Sequence, residues 1–205
     1  FTEIQEALRL DDLPRARQLL GEWQGRPADG LGAQEIARLS IEAALAASHR
    51  HVFAVLLWFI LLPGPCGAVL YRMATVIGLR WAAKNTGEET DFSAFSRRVF
   101  GIIEWLPSRA TASVFAIVGN FEDAVYCWRT QGAEWADNSL GIVLASGAGA
   151  LGVQLGRPLA EDVEVAERAE LGLGDPPDVD FMQSGVGLVW RATVLWLLLL
   201  WLMWL

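Results

Sequence analysis

S-H-R-H-V-F-A-V-L-L-W-F-I-L-L-P-G-P-C-G-A-V-L-Y-R-M-A-T-V-I-G-L-R-W, from Ser48 to Trp81, decides the fold. It opens on a polar cluster, His49-Arg50-His51, and then carries no charge from Val52 to Leu62. Pro63-Gly64-Pro65 breaks it, Cys66–Leu70 is apolar again, Tyr71-Arg72 interrupt, and the stretch closes at Arg80-Trp81. A membrane-crossing helix needs about 20 mostly apolar residues, and neither arm is that long by itself. Two prolines around a glycine remove backbone donors and push the residue before each proline out of the helical region. Backbone freed in this way is tolerated in lipid only where protein or a water-filled cavity meets it. The reading is a broken or re-entrant hydrophobic hairpin inside an all-α membrane protein, a polytopic helical bundle.

The composition agrees. Hydrophobic residues make up 53% of the chain, with ten tryptophans and a mean hydropathy of +0.33, which is greasy for a soluble domain. A net charge of −8 argues against nucleic acid, whose phosphates need a basic face. The partners expected are membrane lipids and other membrane chains, or further copies of this one. Cys66 and Cys127 are too few for a disulfide framework, no metal-ligand pattern appears, and Cys66 reads as a small buried packing residue. The chain starts at Phe1 in amphipathic sequence, which reads as the later part of a longer polypeptide lacking its first transmembrane segments.

Upstream, residues 1–48 read as amphipathic helices on the cytoplasmic side. Asp11 or Asp12 caps a second helix with Pro14 in its first turn, and Arg15 and Arg17 lie on a solvated face. A third helix runs from about Ala33 to Ser48 with Glu42 on or near its apolar stripe, either paired at a boundary or functional. Residues 49–205 read as the membrane bundle. Ala82–Ser96 is a polar loop, and the basic residues around it (Arg80, Lys84, Arg97, Arg98) place it on the cytoplasmic side. Val99–Gly119 is a second apolar block, read as broken at Pro107, with Glu104 and Arg109 partnering each other or Arg72. The Gly- and Ala-rich Leu140–Gly156 is a close-packing helix rather than a phosphate loop, because no strand precedes it. Glu161–Asp180 is an acidic, exposed loop, and Val186–Leu205 is a transmembrane helix in which Arg191 snorkels or meets bundle acids.

Four pieces then carry a resemblance: A-R-Q-L-L-G-E-W-Q-G-R at Ala16–Arg26, P-C-G-A at Pro65–Ala68 followed by Tyr71-Arg72, W-L-P-S-R-A-T-A at Trp105–Ala112, and G-A-G-A-L-G-V-Q-L-G-R-P at Gly147–Pro158. In this order they resemble the bacterial CobD/CbiB family of integral membrane proteins and their relative AmpE. The resemblance implies a multi-pass inner-membrane protein. The family's enzymes make adenosylcobinamide phosphate from cobyric acid and an aminopropanol amine with ATP and magnesium.

The sequence departs from that family where the chemistry lies. Of the enzymes' E-x-x-x-E-N-x-x-D-G signature it keeps Glu42 and has Ala46, Ala47 and Arg50 at the other acid and amide positions. The enzymes' N-T-x-D-S-M after the tyrosine-arginine pair is A-T-V-I-G-L here, and their paired aspartates have become Phe100-Gly101. Magnesium wants hard oxygen ligands, usually carboxylates beside substrate phosphates. The expectation is a protein without the synthase chemistry, with no catalytic residue and no ATP or magnesium bound, acting in regulation, sensing or assembly as AmpE-like relatives do. A divergent synthase and a structural subunit of a membrane complex are the alternatives. The candidate ligand-binding residues are Arg72, Arg109, His49, His51, Glu42 and Tyr71, expected around a positively biased pocket near the helix breaks; otherwise each basic residue snorkels separately to water.

Overall fold

The computed structural model describes residues 1–62, 65–84, 91–135, 137–156 and 170–203. Helix α1 (Thr2–Arg9) buries Ile4, Ala7 and Leu8, and α2 (Leu13–Gln24) buries Ala16 and Leu20. The expected cap is present: Asp12 Oδ1 accepts from the Arg15 backbone N–H at 3.1 Å, with Pro14 in the first turn. Gly25, at φ 68°, ends α2 in the left-handed conformation that glycine adopts without penalty. Arg17, expected on a solvated face, instead donates to the Leu31 carbonyl at 2.9 Å.

Helix α3 (Ala33–Ser48) starts where the Gly32 N–H donates to Glu35 Oε2 at 2.8 Å. It does not break at the polar cluster. It passes through a π-helical turn, His49–Phe53, directly into α4 (Ala54–Leu61). The third helix and the first apolar arm are therefore one rod, Ala33–Leu61, long and apolar enough to cross a membrane. The boundary read at residue 48 falls inside it.

Leu62 leaves the helix at φ −110°, ψ 140°, as a residue before proline should. Pro63 and Gly64 lie outside the described residues, and α5 (Cys66–Lys84) begins one residue after Pro65. Helices α4 and α5 then pack against each other. A side chain at Gly67 would run into the Trp58 carbonyl, so glycine permits that approach.

Several expectations change here. Tyr71-Arg72 interrupt the hydropathy but not the helix, because α5 runs through them. The polar loop is shorter than read: α5 reaches Lys84, α6 (Asp91–Val118) starts at Asp91, and residues 85–90 lie outside the described set. Pro107 does not break α6. Pro107 takes away the N–H that would meet the carbonyl of residue 103, and the helix continues all the same; beside it Ser108 Oγ and Arg109 Nη1 both donate to the Trp105 carbonyl at 3.1 Å. Cys66 is exposed rather than buried, because the first turn of α5 faces outward with Val69, Leu70 and Met73; Cys127 is the buried cysteine.

Helices α7 (Phe121–Gln131) and α8 (Asn138–Leu151) pack along each other, and α8 also packs on α6. Asp137 caps α8, accepting from the Ser139 and Leu140 N–H groups at 3.1 and 3.3 Å. Gly141–Ala150 of α8 is buried throughout, as the small-residue packing reading requires. Beyond α8, isolated bridges join Val153 to Asp175 and Leu155 to Leu171. Leu171 and Pro177 are therefore buried, which corrects the view of that loop as wholly exposed; residues 161–169 are outside the described set. Helix α9 (Val179–Met203) begins earlier than Val186, and its Val179–Leu202 is the second stretch long and apolar enough to span. Arg191 lies exposed on it, donating through Nε to the Gly187 carbonyl at 3.3 Å rather than meeting bundle acids. Among the described residues no strand forms.

A Cβ at Gly149 would sit 2.8 Å from Ala124 Cα and closer still to the Asp123 carbonyl. Gly149→Val is thus expected to destabilise by about 1–3 kcal/mol, the usual cost of overpacking a filled interface. Thermal unfolding of the detergent-solubilised protein measures it, and an unchanged melting temperature would contradict the described α7–α8 packing.

Candidate functional site

The π-turn sets the site. His49 is completely buried, with Nε2 2.7 Å from Glu104 Oε1 and Nδ1 2.9 Å from Thr111 Oγ1, both on α6. With Nε2–H donating to the carboxylate and the threonine hydroxyl donating to Nδ1, the neutral imidazole satisfies both nitrogens. Four residues on, Phe53 meets Phe115 of α6 edge to face, at 5.8 Å between ring centroids. Both ends of the turn are therefore pinned to α6. Glu104 was expected to partner Arg109 or Arg72; it pairs with His49 instead. Tyr71, on α5, is wholly buried, and neither its hydroxyl nor Glu104 Oε2 has a hydrogen-bond partner.

On its other side the turn faces a cavity of about 480 Å³, lined by residues of α2, the rod, α5 and α8. Four basic side chains line it: Arg26, Arg50, His51 and Arg72. Arg72 Nη1 donates to His51 Nδ1 at 2.7 Å, which requires that nitrogen to be unprotonated. Arg50 reaches toward the α8 cap residue Asp137, 3.5 Å away and half exposed. Trp23 and Trp135 stand among the walls, and Glu42 is the carboxylate of the lining. Its Oε1 accepts from the buried Gly156 N–H at 2.7 Å, which ties α3 to the segment after α8.

Of the residues singled out from sequence, Arg72, His51 and Glu42 come together at the cavity. His49 and Tyr71 sit behind it in the buried cluster. Arg109 lies apart, its guanidinium 4.3 Å above the Trp105 ring of its own helix. Arg50 was recognisable as a member of the polar cluster His49-Arg50-His51 and as a replaced signature position, whereas Arg26 had no signal beyond its place in a matching piece, since a solitary arginine after a glycine turn reads as solvated.

The comparisons bear on this cavity. The profile of the family described as CobD/Cbib protein matches residues 1–189. A cobalamin biosynthesis protein CobD of Stutzerimonas stutzeri is 35% identical over 96% of this chain and 64% of its own length. A protein of the same name from Chromobacterium violaceum is 36% identical over 94% of this chain and 61% of its own length. One from Mycobacterium tuberculosis is 30% identical over 90% and 60%. No solved structure matches. The chain belongs to the CobD/CbiB family, and it spans under two thirds of the length of these relatives.

Glu42→Ala leaves the buried Gly156 N–H without its acceptor, so it is expected to cost about 1–3 kcal/mol of stability. Denaturant unfolding of the solubilised protein against wild type reads this, and an unaltered midpoint would remove Glu42 from its tying role.

Proposed function

We propose that this chain is a multi-pass protein of the bacterial inner membrane that serves cobalamin biosynthesis by binding an anionic ligand rather than by phosphoryl-dependent amide synthesis. Membership of the CobD/CbiB family, with relatives named for cobalamin biosynthesis, supports the pathway. Two helices long enough to span support the membrane. So do the large apolar side chains exposed on α5, α6 and α9, among them Leu70, Met73, Ile102, Trp105, Leu198 and Trp201, which would be a liability in water.

One observation carries the ligand reading. Ala46, Ala47 and Arg50, which stand at the acid and amide positions of the family signature, line the same cavity as Glu42, Arg26, His51 and Arg72. The side chains where the family's enzymes are expected to hold metal and nucleotide are here small or cationic. This donor set does not fit magnesium-ATP: among the described lining residues Glu42 is the carboxylate, and one of its oxygens is engaged by Gly156. No reaction step is therefore drawn through that group. Guanidinium groups converging from separate elements suit a phosphate- or carboxylate-bearing ligand, which each can grip through paired N–H donors.

A divergent synthase is the second reading, favoured by identity of 35% and 36% to proteins named CobD. Complementation separates the two. The full-length protein, expressed in a bacterium without its own synthase, is expected not to restore cobalamin synthesis from cobyric acid; restored growth would establish the second reading. In parallel, inorganic pyrophosphate should quench the tryptophan fluorescence of the solubilised protein. Arg72→Gln should weaken that binding about tenfold, on the order of 1.4 kcal/mol.

A further inference from the structure

The buried cluster behind the cavity has a specific relation to the cationic wall. His49 directly precedes Arg50 and His51, and Tyr71 directly precedes Arg72. Successive residues on a helix point about 100° apart, so a residue fixed on the inner face aims its neighbour elsewhere. Here the neighbours line the cavity, while His49 and Tyr71 are wholly buried. Glu104, on α6, meets the first of these pairs: its Oε1 is bonded to His49 at 2.7 Å, and its Oε2 is buried without a hydrogen-bond partner.

The backbone adds a second observation. A π-turn inserts one extra residue into a helix, and such turns recur at functional sites. This one occupies His49–Phe53, and His49 and Phe53 at its two ends are the residues seated on α6. A regular α-helix would carry Arg50 and His51 around by the angle of that extra residue. Keeping them on the cavity requires something that holds the turn, and the bonds of His49 to Glu104 and Thr111 do so.

We infer that Glu104 is the positioning residue of the cavity: through His49 it fixes the directions of Arg50 and His51, and through the hydrogen bond between His51 and Arg72 that of Arg72, and so sets the affinity for an anion without touching it. The inference deepens the anion-binding reading and rests on it for its affinity arm. Carried by buried groups on α6 and the rod, the coupling is a property of the interior rather than of the lining.

The test uses the full-length protein in detergent with inorganic pyrophosphate as probe. Glu104→Leu is expected to weaken pyrophosphate binding about tenfold, while Glu104→Gln, whose amide oxygen still accepts from His49, recovers most of it. In the Arg72→Gln background the loss from Glu104→Leu should shrink, because the two changes act through one group. Nitrogen-15 imidazole spectra of histidine-labelled protein follow His49 and His51, each signal assigned by its loss in His49→Gln or His51→Gln. Glu104→Leu should move the His51 signal as well as that of His49. Pyrophosphate affinity unchanged in Glu104→Leu, or fully additive losses in the double variant, would overturn the inference. If wild type binds no pyrophosphate, the anion reading fails by itself. The His51 resonance then decides this one: a shift in Glu104→Leu upholds the positioning role and a fixed resonance refutes it. Should Glu104→Leu not fold, Thr111→Val, which removes only the second bond to His49, takes its place with the same two readouts.

Discussion

A carboxylate and an imidazole in contact at 2.7 Å, both removed from solvent, are the constraint around which this chain is arranged. An ionisable group in an apolar interior must find a partner there, since burying it unpaired is costly. Glu104 finds His49, and that contact brings the π-turn against α6. Phe53 on Phe115 and Thr111 on the imidazole complete the joint. With the turn seated, α4 departs toward the proline break and α5 returns beside it, so the cavity opens between the turn, α5 and the start of α8. Polar satisfaction thus fixes the angle at which the apolar rods meet. Apolar packing alone, which is non-directional, would not.

Much of this was legible in the sequence because it rests on local rules. The stop after Leu61, the cap at Asp12 and the buried small residues of α8 follow from proline geometry, side-chain acceptors and residue size. What failed was whatever a distant partner decided. Pro107 reads as a break, yet α6, packed on α7, α8 and α9, runs through it. The polar cluster at His49–His51 reads as a helix end; inside the fold it is a turn with one buried and two cavity-facing residues. No periodicity reveals that Glu104 would choose His49, fifty-five positions away, over the nearer Arg109. Half of the candidate site was found for the same reason. Arg72, His51 and Glu42 sit on interruptions of apolar sequence, which always draw notice, whereas Arg26 sits in a loop where a basic residue draws none.

Family membership and the cavity carry different kinds of information. The former covers residues 1–189 as a whole. The latter combines kept residues, Glu42 and Arg72, with the replaced signature positions Ala46, Ala47 and Arg50. A fold can keep its packing residues while the chemistry in its cleft changes. Here they meet at Glu42, which lines the cavity and also holds the segment after α8, and at Arg26 and Arg72, which line it from pieces that carry the resemblance.

The two isolated bridges after α8 have a wider meaning. Val153 with Asp175, and Leu155 with Leu171, bring the chain leaving α8 and the chain approaching α9 to one place, while Gln131 grips Gly172 from α7 through its N–H and carbonyl at 2.7 and 3.4 Å. Whatever lies between residues 156 and 170 enters and departs through a single staple. Closing a longer excursion costs only about 0.6 kcal/mol for each doubling of its length. Evolution can therefore lengthen, shorten or replace that excursion as an interchangeable module while the helices keep their register.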